Sequence, residues 1–294
     1  MKKKVNSGAT FGEKLAKVVF MIATATSIIA LGFIIYFIFS KSIPTISNIG
    51  LFNFIGGKVW KPTAHTPLYG IYPMIVSSIY ATLGAIILGV PFGVLVAVFM
   101  AFYAPKNIYQ ILKAGVNLLA GIPSVVYGLF GVTVIVPWIK VAFGGKGGSL
   151  LAAIIVLVIM ILPTIIALSE TALRSVPEAY FQGAIGLGAS KERALFNVVL
   201  PAAKSGVFAS IILGTGRAIG ETMAVQMVSG NRTLVPTGLL DGIRTMTSNI
   251  VMEMGYAGVE HKNALIATGA VLFFFILIIN ISFNIVKNKE AKGE

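Results

Sequence analysis

The sequence has 294 residues, of which 56% are hydrophobic and 11% are charged, with a mean hydropathy of +0.91 and a formal net charge of +13. Soluble chains are about 25% charged. This chain is therefore too apolar for one soluble globule, and we expect an integral membrane protein with several spans. A basic excess can indicate a nucleic-acid-binding protein, but the hydrophobicity argues against it, and no nucleic-acid partner is expected.

The residues that the sequence lacks exclude several kinds of chemistry. It has no cysteine, which excludes disulfides, thiolate metal sites and a cysteine nucleophile. Its two histidines, His65 and His261, are far apart, and no histidine pair has metal-ligand spacing. The phosphate-binding loop of ATPases is also missing. We therefore expect neither a metal nor a cofactor in this chain.

Six apolar stretches are long enough to cross a hydrocarbon core, which takes about 20 residues. The predicted spans are 18–40, 71–103, 114–137, 150–169, 205–228 and 263–286. They indicate an all-α, polytopic membrane fold with six transmembrane helices. The second stretch has 33 residues and is too long for a simple crossing, so it must tilt, protrude or break near Gly89 and Pro91.

The distribution of positive charge predicts the orientation of these spans. With the N-terminus inside, the inner segments 1–17, 104–113, 170–204 and 287–294 hold 14 lysines and arginines in 70 residues, against 8 in 76 for the outer segments. Both termini are therefore predicted to be cytoplasmic. The division into domains that follows is a cytoplasmic segment 1–17, a six-span domain 18–286 and a cytoplasmic tail 287–294.

The first stretch and the two tryptophans agree with this arrangement. The 23 apolar residues that follow the N-terminal lysines exceed the 7–15 of a signal-peptide core, so we expect an uncleaved signal anchor. Trp60 and Trp138 fall in outer segments, where tryptophans often mark the membrane interface.

A pair of opposite charges interrupts the fifth span. Arg217 is the thirteenth of its 24 residues, a depth at which a charge costs about 2.5–3.5 kcal/mol. Glu221 lies one helical turn further on, so the two side chains can pair when the path is empty. An arginine in a cavity also suits an oxyanion, and a neighbouring glutamate can accept a hydrogen bond from hydrogen phosphate. The alternative is that the pair merely locks two helices together.

Other polar and small residues in the spans have weaker or structural interpretations. Ser124 and Thr222 are weaker candidates for lining the same path. Four small residues at four-residue spacing in the fifth span predict close packing against another helix, and these are Gly206, Ser210, Gly214 and Ala218. Glu170 and Arg174, also four residues apart, are interpreted as a pair at the inner end of the fourth span.

The segment 170–204 between the fourth and fifth spans is amphipathic and is predicted to contain two short helices. Ser175 is a possible cap for the first helix, which would begin at Pro177, and Ser190 is predicted to cap the second. Gly186 and Gly188 can turn the chain between them. An apolar-faced loop of this kind either docks against a partner or lies at the membrane surface.

This loop resembles the coupling motif of ABC-importer permeases, which reads Glu-Ala-Ala, three residues, Gly, nine residues, Ile, any residue, Leu-Pro. The spacing is complete, although glutamine, glycine and valine replace three of its letters. The resemblance implies a coupling helix seated in a groove of an ATPase subunit. The matching residues are Gln182, Gly183, Ala184, Gly188, Leu200 and Pro201.

The strings from Gly216 to Val225 and from Leu119 to Gly131 are similar to PstC-type permeases of phosphate-specific ABC importers. This resemblance implies a MetI-like fold with six spans in the plasma membrane. The implied partners are a PstA-like permease, a PstB-like ATPase dimer that hydrolyses ATP, and a PstS-like phosphate-binding protein. Arg217 and Glu221 then become candidates for phosphate translocation.

Three other functions remain open on the residues alone. One is a permease for a different oxyanion, such as molybdate or sulfate. Another is a stand-alone anion channel, which would pass phosphate without ATP. The last is a membrane-embedded enzyme, for which Arg217 and Glu221 alone do not supply a catalytic set.

Overall fold

Long apolar helices form most of the computed structural model, which describes residues 11–292, with side chains for residues 12–283 and 285. The elements in chain order are α1 (Phe11–Ile49), α2 (Leu51–Gly56), β1 (Trp60–Lys61), β2 (Leu68–Tyr69), α3 (Tyr72–Phe102), α4 (Lys106–Gly121), α5 (Ser124–Phe130), α6 (Val136–Phe143), α7 (Leu150–Arg174), α8 (Glu178–Gly186), α9 (Lys191–Ala194), α10 (Leu200–Ala202), α11 (Lys204–Gly220), α12 (Met223–Val228), α13 (Met246–Met254) and α14 (Val259–Lys292). Two π-helical segments, Gly131–Ile135 and Leu195–Val199, join α5 to α6 and α9 to α10.

Five stretches in the described residues are helical, long enough and apolar enough to cross a membrane. They are Gly12–Ile49, Tyr72–Phe102, Ser124–Phe143, Leu150–Arg174 and Val259–Phe283. A sixth is obtained when Lys191–Ala202 and Lys204–Gly220, which meet at a bend of 70°, are taken as one span. The predicted all-α membrane fold is confirmed, and within residues 11–292 it is accompanied by one short hairpin that pairs Trp60 with Tyr69.

We call the end of the bundle that carries residues 170–204 the inner end and the opposite end, which carries α13, the outer end. Helix α7 is the centre of the bundle, and α3 and α11 pack on it. Two of its side chains, Ile161 and Ile165, are fully buried. A Cβ at Gly89 of α3 would lie 2.8 Å from Ile161, and one at Gly93 would lie 2.7 Å from Ile165. Helix α3 continues unbroken through Pro91. The second predicted span is expected to tilt, protrude or break, and the break is therefore excluded.

The small residues of α11 face α7, as their spacing predicts. A Cβ at Gly206 would lie 2.4 Å from the Cβ of Ala172, and one at Gly214 would lie 2.9 Å from Ile165. Between them, the hydroxyls of Ser169 and Ser210 are 2.7 Å apart and share a hydrogen bond. Small side chains let the two backbones approach closely, which is how helices gain contact in lipid.

The third predicted span, 114–137, has different limits in the structure. Helix α4 ends at Gly121, Ile122 is extended, and a new helix begins at Ser124 after Pro123. Proline has no N–H and disfavours helical geometry at the preceding residue, so the chain turns there. The span-length helix is therefore Ser124–Phe143, and α4 lies before it as a separate helix.

Gly206 provides a direct test of the close packing between α7 and α11. Because the Cβ of Gly206→Ala would overlap Ala172, we expect the free energy of unfolding to fall by about 1–3 kcal/mol. Gly216→Ala is the matched control on the same helix, since no atom lies within 4 Å of a Cβ there. The measurement is thermal unfolding of the purified protein in detergent. Equal unfolding midpoints for the two variants would contradict this packing.

Candidate functional site

The fifth span is interrupted close to the charged pair that the sequence singles out. Helix α11 ends at Gly220, Glu221 is extended with φ −68° and ψ 131°, and α12 begins at Met223. The expectation of one continuous helix over 205–228 is therefore wrong. At this break, the Thr247 hydroxyl of α13 donates a hydrogen bond of 3.0 Å to the Glu221 carbonyl.

The break changes the relation between Arg217 and Glu221. One oxygen of the Glu221 carboxylate, Oε1, accepts a hydrogen bond of 3.2 Å from the Ala224 N–H and so caps α12. Within the part of the chain that the structure describes, no ion pair joins Glu221 to Arg217 and no hydrogen bond is made by the Arg217 guanidinium. The pair expected for an empty path is therefore not formed. Arg217 is half-buried.

A second interruption lies next to the first. The Tyr127 hydroxyl donates a hydrogen bond of 2.7 Å to the Leu119 carbonyl and so spans the break at Pro123. Ser124, the first residue of α5, is half-buried, and it is three residues from Tyr127 on the same helical face.

Helices α5 and α12 are in close contact through glycine. A Cβ at Gly128 would lie 2.6 Å from the Met227 sulfur and 3.0 Å from the Ala224 Cα. The breaks after α4 and after α11 are therefore neighbours in space. Thr222, the other weak candidate, donates its hydroxyl to the Gly220 carbonyl at 3.1 Å and is used within the break itself.

The arrangement has the chemistry of an oxyanion site. Broken helices at membrane depth occur where the backbone lines a cavity or is buried in protein, and they commonly form substrate sites in transporters. Arg217 offers a fork of N–H donors with no protein acceptor among the described residues. The second oxygen of Glu221, Oε2, also makes no hydrogen bond in that part of the chain, so it can accept a hydrogen bond from a protonated ligand atom.

Two residues near this site were missed by sequence reasoning. Thr247 is remote in sequence and lies in a segment without a distinctive pattern. Gln226, on α12, has a buried amide oxygen with no hydrogen-bond partner among the described residues. Its signal in the sequence is a long polar side chain within an apolar span.

At the inner end, the predicted pair of Glu170 and Arg174 is confirmed, and Lys113 joins it as a second cation. The carboxylate is 2% exposed and accepts from Arg174 Nε at 2.8 Å and from Lys113 Nζ at 2.6 Å. Arg174 also donates to the Met100 carbonyl at 2.9 Å and lies over the Tyr109 ring. These contacts connect α3, α4 and α7 at the point where the loop 170–204 begins.

At the outer end, a second buried carboxylate organises the surface. Glu253 accepts from Arg244 at 2.6 Å, from Trp60 Nε1 at 2.8 Å, and lies 2.8 Å from His261 Nε2. Trp60 is thus 4% exposed and is not an interface anchor. Trp138 remains exposed on α6.

The outer loop after α12 also accepts a hydrogen bond from the first residue of α7. The Leu150 N–H donates to the Asp241 carbonyl at 2.8 Å, and the Ser149 hydroxyl caps α7 by accepting from the Ala152 N–H. The Asp241 side chain accepts hydrogen bonds from the hydroxyl and N–H of Thr237 and from the Gly238 N–H. These hydrogen bonds lower the pKa of Asp241, and the bond from the Thr237 hydroxyl has the largest effect.

The loop 170–204 has the two helices that the sequence predicts. Gly188 adopts a φ of +87° between them, and the Ser190 hydroxyl caps α9 by accepting from the Arg193 N–H. The expectation that Ser175 caps the first of these helices is wrong, because Ser175 is the residue that ends α7 and its hydroxyl donates to the Ala172 carbonyl. The coupling-motif residues divide into three groups, with Gln182, Gly183 and Ala184 on α8, Gly188 in the turn, and Leu200 and Pro201 on α10.

Comparison with known proteins agrees with this architecture. The family model described as "binding-protein-dependent transport system inner membrane component" matches residues 89–291. The chain belongs to this family. It is a multi-pass membrane permease with a MetI-like fold.

Similar curated proteins include several phosphate permeases. The chain is 39% identical to the probable ABC transporter permease protein YqgH of Bacillus subtilis, over 80% of this chain and 78% of the relative. It is 30% identical to the phosphate transport system permease protein PstC of Mesorhizobium japonicum, with coverage of 86% and 83%. For PstC 2 of Mycobacterium tuberculosis the identity is also 30%, with coverage of 96% and 94%.

Solved structures of ABC importers share the fold. A bacterial alginate ABC transporter, solved with its alginate-bound periplasmic protein, aligns with a TM-score of 0.66 at 13% identity, covering 96% of this chain and 98% of that one. The inward-facing MetNI methionine transporter aligns with a TM-score of 0.58 at 19% identity, covering 75% and 94%. At these identities the likeness defines the fold alone.

The Glu253 cluster gives a stability prediction for this permease. Arg244→Met leaves a buried carboxylate without its cation, so we expect a loss of about 3 kcal/mol in the free energy of unfolding. Adding Glu253→Gln should recover part of that loss, because the uncompensated charge is removed. Arg232→Met, at an exposed position of the same loop, is the matched control. Additive effects of Arg244→Met and Glu253→Gln in thermal unfolding would contradict the coupling.

Proposed function

We propose that this permease forms half of the translocation path of an ATP-driven inorganic phosphate importer. The observation that carries the proposal is Arg217, a half-buried cation within a membrane span that has no ion-pair or hydrogen-bond partner among the described residues. A cation at this depth needs compensation, and an anion passing through the span supplies it. The guanidinium offers two parallel N–H donors to two phosphate oxygens.

Neighbouring groups favour phosphate over sulfate. The free Oε2 of Glu221 can accept a hydrogen bond from the P–OH group of hydrogen phosphate, whereas sulfate carries no proton at neutral pH and would be repelled. The hydroxyl of Ser124, at the adjacent helix break, offers a further polar contact. Glu221 also limits the affinity, since its negative charge opposes retention of the anion once it has bound.

The similar proteins support the same substrate. Several relatives at about 30% identity over most of the chain are named phosphate permeases. The structural neighbours import alginate and methionine, so this fold accepts different cargo and does not itself select phosphate. A permease for molybdate or sulfate is the alternative within the same class, and a stand-alone anion channel is the alternative outside it.

The partners follow from the incomplete site and from the loop. This chain covers the Arg217 side chain only in part. A second permease, PstA-like, would cover the remainder and complete the path. A PstS-like binding protein would deliver phosphate at the outer end, and a PstB-like ATPase dimer would bind at the inner end. This assignment requires the predicted orientation, in which the protein lies in the plasma membrane and both of its termini are on the cytoplasmic side.

Helix α8 has the surface expected of a coupling helix. None of its residues is buried in this chain, and the turn that follows it exposes 92% of Leu187. Gln182, which stands where the motif has glutamate, donates a hydrogen bond of 3.1 Å to Glu178 one turn earlier. The carboxylate missing from the motif position is therefore present on the same helix.

Phosphate uptake by variants of Arg217 tests the proposed function. Arg217→Gln removes the charge-assisted hydrogen bonds, each worth about 1.5–3 kcal/mol, so we expect uptake to fall at least about tenfold. Arg217→Lys keeps the charge but loses the fork and should fall between. The measurement is ATP-dependent uptake of labelled phosphate into proteoliposomes that contain the assembled transporter, with unlabelled sulfate as competitor.

Lys140→Gln, which removes an exposed cation at the end of α6, is the control for this experiment. Unchanged uptake by Arg217→Gln in an assembled transporter would exclude the translocation role. Equal competition by sulfate and phosphate would favour the broader oxyanion permease, and flux without ATP would favour a channel.

Gly188 tests the coupling role of the loop. Alanine is strained at a φ of +87°, so Gly188→Ala should distort the turn after α8 and reduce ATP-driven uptake. Gly186→Ala, two residues earlier, has no positive φ and no atom within 4 Å of the added Cβ, and it should stay close to the unsubstituted protein. Uptake and ATP hydrolysis are measured together. An equal ratio of phosphate transported to ATP hydrolysed in the two variants would contradict this role for the turn.

A further inference from the structure

The Glu221 carbonyl, at the break of the fifth span, accepts a hydrogen bond from another helix. In an unbroken α-helix the Glu221 carbonyl would accept from the Val225 N–H, four residues on. In the structure this carbonyl accepts from the Thr247 hydroxyl on α13 at 3.0 Å. Thr247 is 7% exposed, and its hydroxyl also lies 3.0 Å from that of Thr245, the cap of α13. The donor is therefore held in place within a buried cluster.

An intact helix through this segment would have a direct consequence for the anion site. The Ala224 N–H, which donates to the Glu221 carboxylate in the structure, would instead donate to the Gly220 carbonyl. The carboxylate, four residues from Arg217 on the same helical face, would then be free to pair with it. That carboxylate would then occupy the guanidinium fork that a phosphate needs. The segment has no proline between Arg217 and Val228 to prevent a continuous helix. Two contacts accompany the break, the local one from the Ala224 N–H to the Glu221 carboxylate and the tertiary one from the Thr247 hydroxyl to the Glu221 carbonyl.

We propose that Thr247 is a positioning residue for the anion site, because its hydrogen bond to the Glu221 carbonyl maintains the helix break and keeps the Glu221 carboxylate away from Arg217. Thr247 itself does not contact the anion. The inference rests on the proposed function of Arg217 and adds to it a residue that determines how strongly the site binds. It also defines two states of one span, a broken state with Arg217 open and a continuous state with Arg217 paired.

Equilibrium binding of inorganic phosphate to the assembled transporter, without the binding protein, tests this inference. Thr247→Val keeps the shape of the side chain and removes the donor, so phosphate affinity should fall about three- to tenfold. Thr247→Ser keeps the hydroxyl and should bind as the unsubstituted protein does. Thr247→Ala, which also lacks the donor, serves where the valine variant does not assemble.

The decisive comparison uses Glu221→Gln as a background. With the carboxylate gone, nothing competes for Arg217, so Thr247→Val should change affinity less than twofold there. A general loss of structure would instead weaken binding equally in both backgrounds, and that result would overturn the proposal. Unchanged affinity in Thr247→Val with Glu221 present would overturn it as well.

A distance measurement separates this inference from the proposed function. The chain has no cysteine, so spin labels can be placed at Leu213→Cys and Met223→Cys, both exposed positions on either side of the break. Thr247→Val should shift their separation toward that of a continuous helix, and Thr247→Ser should not. No shift would overturn the inference whatever phosphate does. A shift in a protein that binds no phosphate would support Thr247 as the residue that maintains the break and contradict the proposed substrate.

Discussion

The structure depends on how backbone groups are satisfied where helices stop inside the membrane. Lipid offers no hydrogen bonds, so a carbonyl or N–H released by a break must find a partner within the protein. At the Glu221 break those partners are the Glu221 carboxylate and the Thr247 hydroxyl, and at the Pro123 break the Leu119 carbonyl receives the Tyr127 hydroxyl. The Thr247 contact joins the junction of α11 and α12 to α13, and the Tyr127 contact joins α4 to α5. Among the described residues, none of these contacts uses the Arg217 side chain.

The sequence predicted the features that depend on local pattern. The spans follow from runs of apolar residues, and the contact of α11 with α7 follows from small residues four apart, because a helix repeats its face at that spacing. The cap at Ser190 and the turn at Gly188 were also predictable, because each depends only on residues next to it in the sequence. The pair of Glu170 and Arg174 belongs with them as an interaction within one helix.

Features that depend on remote contacts were not predictable. Thr247 acts 26 residues from Glu221, Lys113 reaches Glu170 across 57 residues, and Trp60 reaches Glu253 across 193. The apolar run from Ser205 to Val228 is compatible with a continuous helix, and the contact that Thr247 of α13 makes at the break cannot be read from that run. The same limitation applies to Trp60, since its buried position depends on a carboxylate that follows almost two hundred residues later.

Three arginines of this chain differ in their surroundings, and the difference supports the role proposed for Arg217. Arg174 and Arg244 each meet a buried carboxylate within 2.8 Å, and each thereby fixes several segments. Arg217 has a carboxylate within one turn in sequence, yet the backbone geometry directs that carboxylate to the N–H of Ala224 instead. A protein that needed Arg217 only for stability would gain more from the ion pair than from this cap, because an unpaired cation in a membrane span is costly. The open guanidinium is therefore understandable as a binding group whose partner is a passing anion.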